Sequence, residues 1–249
     1  MSALNPSLTT ATFNSSTTNI SGGVPSGWAS SVPLRIYSVY GGNNTAGGFV
    51  SDVNHGVLSA VQYPVVMYDL ENWSRSPIAE QQNAPLYMHR FGDFAHAHGF
   101  QTIMAPEAFL VRVQGSVANC DDGQTGWQCF LSNGWAAAAA RYSDRYSIQS
   151  QGQQTGDASG PDAYINYVSQ ASAQAKAANP QVVVSAGLST NPPQGTPTVQ
   201  VLYQDANSVR SYVSGFWLNV PDPALGSCPS CGAPRPDLAL QLIQMLAGG

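Results

Sequence analysis

Six apolar runs of strand length, each followed by a helical stretch, are the feature that most narrows the folds open to this 249-residue chain. The runs fall at about 34–40 (LRIYSVY), 64–70 (PVVMYDL), 101–105 (QTIMA), 145–151 (RYSIQSQ), 181–187 (QVVVSAG) and 215–220 (GFWLNV). Helical stretches lie at about 47–61, 83–99 (opened by Asn83), 132–143, 161–178, 197–213 and 236–247. Strand and helix alternating every 30 to 45 residues or so is the pattern of repeated βα units on a parallel sheet. A seventh or eighth strand is expected in residues 8–30 or in FLVRV at 109–113. The length then suits a (β/α)8 TIM-barrel-like fold of about 250 residues, incomplete or irregular. The competing arrangement is an open doubly wound sheet. Such sheets commonly bind nucleotides through a Gly-rich first turn, and YGGNNTAGG at 40–48 is neither a dinucleotide fingerprint nor a P-loop. Composition does not shift midway, so a single barrel-like domain over 34–249 is expected, with 1–33 a polar segment packing on it.

Charge is scarce, at 9% of residues against about 25% in an ordinary domain. There are three glutamates (Glu71, Glu80 and Glu107), one lysine (Lys176) and eight arginines, so the place of each glutamate is informative. Solubility rests on Ser, Thr, Asn and Gln, which predicts a secreted, extracellular protein. The net charge of −5 and the lack of any basic run argue against nucleic acid as a partner. No apolar segment nears the roughly 18 residues of a membrane span, and no membrane association is expected. MSALNPSLTTATFNSSTT has neither the basic nor the apolar region of a signal peptide and reads as the start of a mature chain.

Cys120 and Cys129 bracket CDDGQTGWQC, and Cys228 with Cys231 form CPSC. A zinc site usually has short spacing within both pairs, and the first pair is too widely spaced. A redox role suits CPSC poorly, because it lies in a Pro/Gly-rich loop and not at a helix start. Two local disulfides, Cys120–Cys129 and Cys228–Cys231, are therefore expected, in an oxidising compartment.

Side chains two apart on a strand share a face, and in a barrel the upper inward positions line the site. In VVMYDLE, Val65, Met67, Asp69 and Glu71 share one face, while Val66, Tyr68 and Leu70 share the other. The next strand places Ile103, Ala105 and Glu107 together, the fourth Gln149 and Gln151, the fifth Ser185, Gly187 and Ser189, and the sixth Trp217 and Asn219. Each set turns polar towards the C-terminal end. Two of the three glutamates then lie at the mouth on neighbouring strands. Acids just after a strand also serve as helix caps or turn formers, and Gln149, Gln151 and Trp217 would also suit a buried network or core. His89, Asp93 and His96 form a stripe opposite Tyr87, Phe91, Phe94 and His98, which predicts a solvated outer face and not a metal site. No serine-hydrolase elbow or zinc-protease motif occurs.

Trp73 follows the first acidic strand, Trp127 lies inside the Cys120–Cys129 loop, and Trp217 sits on the sixth strand. Flat rings beside Gln, Asn and carboxylates suit a carbohydrate, because rings stack on sugar C–H faces while amides and acids bind hydroxyls. Glycosidic cleavage needs two carboxyl groups roughly 5 to 10 Å apart. Glu71 and Glu107, with Asp69 tuning Glu71, are the candidates. Gln149, Gln151, Asn219, Trp73, Trp127 and Trp217 are the candidates for binding a poly- or oligosaccharide. No cofactor is expected, and the protein is expected to act as a monomer. Two other readings use the same mouth: Asp69, Glu71 and Glu107 holding Mg²⁺ or Ca²⁺ for a phosphodiesterase-like or lyase reaction, or a barrel that binds glycan without turnover.

YDLENW at a strand end, with a second acid on a later strand, resembles the glycoside hydrolase (β/α)8 superfamily. In its chitinase-like members a D-x-E at a strand end supplies the acid, and the Asp orients its neighbours. Asp69-Leu70-Glu71 matches that tripeptide, while Pro64 and Met67 stand where the motif's earlier acids would be. In its general wording the chain also resembles secreted proteins of soil actinobacteria.

Overall fold

The computed structural model describes residues 34–41, 48–154, 162–192, 195, 197–220 and 233–248. Six parallel strands form one sheet: β1 (Leu34–Tyr37), β2 (Val65–Tyr68), β3 (Gln101–Met104), β4 (Arg145–Ile148), β5 (Val183–Ser189) and β6 (Gly215–Asn219). Their spatial order is β1-β2-β3-β4-β5-β6, the order of the chain. Among the described residues eight α-helices accompany them: α1 (Phe49–Asn54), α2 (Ile78–Gln82), α3 (Ala84–Ala97), α4 (Gly126–Ser132), α5 (Trp135–Arg141), α6 (Asp162–Ala178), α7 (Val199–Val209) and α8 (Pro236–Gly248). The sheet curls into a half-barrel, so the (β/α)8 expectation is corrected to an incomplete barrel of six strands among the described residues. The doubly wound alternative does not hold either, because it requires the strand order to reverse at a switch point.

All six expected strands form, each shorter than its apolar run except β5. The extra strand expected at 109–113 does not form. Residues Ala108–Arg112 make a 3₁₀ turn, in which Phe109 and Arg112 face solvent while Ala108, Leu110, Val111 and Val113 are buried. Exposure every third residue is the 3₁₀ period and not the alternation of a strand. The helix expected at 132–143 forms as α5, over Trp135–Arg141, and an unexpected helix, α4, precedes it, the two separated at Gly134, whose φ of 69° is left-handed. Residues 8–30 and the Cys228–Cys231 pair lie outside the described residues.

The two faces of the sheet differ. The outer face carries Val66, Tyr68, Leu70, Met104, Tyr146, Ile148, Val184, Ala186 and Leu188 into one large core shared with the helices. Tyr68 stacks on Phe91 of α3 with ring centroids 4.7 Å apart, and Phe91 stacks on Phe49 of α1 at 4.4 Å. The inner, concave face holds a small cluster of strand and strand-end residues alone: Leu34, Val65, Met67, Ile103 and Ala105, with Ile36 and Trp217 against it. This apolar floor is what the mouth residues stand on. No described helix is long and apolar enough to cross a membrane.

Candidate active site

The alternation that buries Val65 and Met67 on the concave face carries Asp69 and Glu71 beyond the end of β2 on the same side. Ladder bonding continues past the strand: Asp69 N–H donates to Tyr37 O at 2.8 Å, Ala105 N–H to Tyr68 O at 2.9 Å, and Glu107 N–H to Leu70 O at 2.9 Å. The backbone therefore stays extended up to the acids, and their side chains keep the face set lower down.

Asp69 and Glu71 share a hydrogen bond that lowers the pKa of Asp69 and raises that of Glu71. Gln149, one residue past β4, donates from Nε2 to Asp69 Oδ1 at 2.9 Å and to Ala105 O at 2.7 Å. That amide spans β3 and ties the acid on β2 to the end of β4. Glu107 Oε2 accepts the backbone N–H of Asn72 at 2.8 Å. Since that nitrogen is bonded to the Glu71 carbonyl carbon, chain geometry caps the separation of the Glu71 and Glu107 carboxyl carbons at about 10 Å.

Burial raises the pKa of all three acids. Glu71 is raised by desolvation first and by the neighbouring Asp69 and Glu107 charges next. Asp69 is raised by desolvation and by Glu107, against the opposing hydrogen bonds from Glu71 and Gln149 and the charge of Arg75. Glu107 is raised by desolvation, opposed by the Asn72 N–H. Three carboxyls over an apolar floor cannot all ionise cheaply, and the shared hydrogen bond favours the acid form of Glu71, pushed up to about 9, over that of Asp69, pushed up to about 7. Glu71 is thus the carboxyl most favoured as an acid, while the Asn72 N–H favours the ionised form of Glu107 against its burial.

The other expected residues divide. Gln151 opens a short 3₁₀ turn (Gln151–Gln153), and its amide lies over Gly187 of β5. A Cβ on Gly187 would sit 2.7 Å from Gln151 Oε1 and 2.9 Å from Ile148 O, so glycine makes room for that amide. Trp217, paired in register with Gly187, packs on the inner cluster, and Asn219 is exposed at the end of β6. Trp73 is partly buried in the loop after β2, its Nε1 donates to Ser76 Oγ at 2.8 Å, and Arg75 lies over its ring at 5.1 Å. Trp127 does not join them. It sits on α4 against the helix-side core, 5.8 Å from the Tyr167 ring.

Cys120 and Cys129 form a disulfide that closes the loop between β3 and α4. His89 and Asp93 pair at 2.9 Å on an exposed helix face, and His96 pairs with Asp144 at 3.1 Å. Among the described residues no group of three or more His, Cys, Asp and Glu side chains is placed to hold a metal ion. Two neighbours of the acids escape the sequence reading. Arg75 could have been singled out by the scarcity of cations, but nothing local marks the backbone N–H of Asn72.

No family model matches the chain, and no curated protein matches it in sequence. Among solved structures it is similar to the endoglucanase Cel6 from Mycobacterium tuberculosis in complex with methyl-cellobiosyl-4-deoxy-4-thio-β-D-cellobioside, with 16% identity and a TM-score of 0.42. The match covers 74% of this chain and 62% of that one, so the chain spans less than two thirds of its length.

Proposed function

We propose that the protein is a secreted, carbohydrate-active hydrolase that cleaves glycosidic bonds at the C-terminal mouth of the half-barrel. The observation that carries this reading is the pairing of Glu71, its pKa pushed up to about 9 beside Asp69, with Glu107, held by Asn72 N–H, within about 10 Å. In this reading Glu71 donates its proton to the leaving glycosidic oxygen. Glu107 supplies the electron pair at the anomeric carbon, directly or by deprotonating a water, according to its separation from Glu71. Asp69 positions Glu71 and stabilises the carboxylate's return to the acid form, and Gln149 orients Asp69. Gln151, Asn219, Trp217 and Trp73 bind an oligosaccharide through its hydroxyls and C–H faces.

The test is reducing-sugar release from a panel of purified polysaccharides, with and without EDTA, by the wild type, Glu71→Gln and Glu107→Gln. Release that ignores EDTA and falls by about a thousandfold or more in either variant is expected, since each group carries one half of the proton and electron-pair traffic. Release by the wild type that survives both substitutions would remove the acids from the reaction. No release from any member of the panel would count against hydrolysis and in favour of glycan binding without turnover.

A further inference from the structure

The third glutamate of the chain, Glu80, lies away from the mouth acids yet is only 3% exposed. It belongs to α2, a five-residue turn whose polarity is inverted: Glu80 and Gln81 are buried, while Ile78 is 58% exposed. Pro77 caps the turn without any side-chain hydrogen bond. A helix this short does not persist on its own, and no apolar stripe fastens it to the core. Its buried face consists of hydrogen bonds instead.

Those bonds go to three different loops. Glu80 Oε2 accepts from Tyr40 N–H at 2.9 Å and from the Tyr68 hydroxyl at 2.5 Å, and Oε1 accepts from Gly41 N–H at 3.3 Å. This fixes the chain leaving β1 and the residue next to Asp69. Gln81 Nε2 donates to Trp73 O at 2.8 Å and to Ser76 O at 2.7 Å, fixing the loop after β2. Gln82 Nε2 donates to Gln114 O at 2.7 Å, and its carbonyl accepts Val117 N–H at 2.9 Å, fixing the segment after β3. Gly115, with φ of 79°, lets the chain pass the Gln82 amide, which a Cβ there would meet at 2.7 Å. Consecutive helical residues point about 100° apart, so one turn can fan three side chains in three directions.

We infer that α2 is a three-way clamp that positions the loops after β1, β2 and β3 around the mouth acids, with Gln81 the positioning residue for Glu107. Gln81 grips Trp73 O, Trp73 N–H donates to Glu71 O at 2.9 Å, and the intervening Asn72 N–H is the donor to Glu107. Releasing Gln81 frees the segment that carries that donor. The positioning role rests on the proposed hydrolase reading, whereas the clamp itself is tested without substrate.

The experiment is residue-resolved amide exchange and carboxyl titration by NMR on the full chain, for the wild type, Glu80→Gln, Gln81→Met and Gln82→Met. Each variant is expected to speed exchange in its own loop by about tenfold or more, since each loses at least one hydrogen bond. The affected amides are Tyr40 and Gly41 for Glu80, Asn72 and Trp73 for Gln81, and Gln114 to Val117 for Gln82. In Gln81→Met the Glu107 titration midpoint should also rise, because its opposing donor is released. Acceleration spread evenly over the sheet, or absent from the assigned loop, would overturn the clamp. An unmoved Glu107 midpoint would overturn the positioning role. Should Gln81→Met fail to fold, the isosteric Gln81→Glu serves: its carboxyl donates only while protonated, so Asn72 must be protected in acid and exposed at neutral pH, and equal protection at both would refute the proposal. If a polysaccharide is turned over, kcat falls about tenfold in Gln81→Met with KM little changed. If none is, the hydrolase reading fails while the exchange data still decide the clamp.

Discussion

Gly92 sets local propensity against packing. It lies inside α3, where replacing glycine by alanine usually stabilises a helix by about 0.5–1 kcal/mol. Packing gives the opposite sign. A Cβ at this position would fall 2.1 Å from Tyr142 O, 2.9 Å from Tyr142 Cβ and 3.1 Å from the Tyr142 carbonyl carbon. Carbon contacts settle near 3.5–4.0 Å, so the end of α5 must retreat by more than about 1 Å. No rotamer change relieves the contact, since the nearest atom is backbone. The retreat would pull Ala136, Ala139 and Ala140 away from a core they share with Met88, Phe91 and Ala95, all fully buried. Overpacking of this kind costs about 1–3 kcal/mol, and with backbone as the obstacle the upper end applies. Setting the propensity gain against it leaves Gly92→Ala about 2 kcal/mol less stable. In a chain of this length that is a fall of about 4–8 °C in Tm. Urea unfolding followed by tryptophan fluorescence, with the m-value checked for constancy, measures it. A variant as stable as the wild type would show that α3 and α5 are not pressed together at Tyr142.

Three further outcomes are expected. Asp69 and Glu71 bind protons more tightly folded than unfolded, so their stabilising effect is complete below about pH 4 and is lost as pH rises through their raised values. Glu71→Gln should flatten that decline and be more stable than the wild type at neutral pH, read as Tm across pH 4 to 9; an unchanged slope would mean the pair is not buried as described. Reducing Cys120–Cys129, which closes a loop of sequence separation 9, should cost about 2.5 kcal/mol on the chain-entropy account, measured as Tm with and without dithiothreitol. Thr125 and Gln128 form a capping box at the start of α4, and Thr125→Ala should cost about 1 kcal/mol in the same urea titration.

The strands were legible because one period governs them: a residue that alternates with Val65 and Met67 must share their face, and Asp69 follows. The Cys120–Cys129 bridge was legible from spacing, and Asn83 marks the start of α3 as the sequence suggests. Where two periods fit one apolar run, sequence misleads. FLVRV satisfies a strand on composition, but its burial follows a threefold rhythm set by packing against the core. Alanine-rich 135–141 reads as the helix it is, but α4 before it escapes the sequence reading, because a seven-residue helix is too short for periodicity to announce. The turn α2 is too short for periodicity to reveal, and its buried acid runs against the rule that glutamate lies outside. Trp127 belongs to the core through Tyr167, a partner 40 residues away in the chain that no local pattern announces.

Strand order has a bearing on how the chain folds. Every strand pairs with its predecessor, across as few as 30 residues (Ser185 with Gly215) and as many as 42 (Ile103 with Arg145). No pairing waits for a segment synthesised much later, so the sheet can grow outward from its N-terminal edge as the chain emerges. Contacts of modest sequence separation also favour quick folding for a parallel sheet. The acids and Gln149 come from the ends of β2 to β4, within the first two-thirds of that growth. Substitutions among them therefore act on a portion that assembles early, and their effects should register in the rate of folding as well as in the finished site.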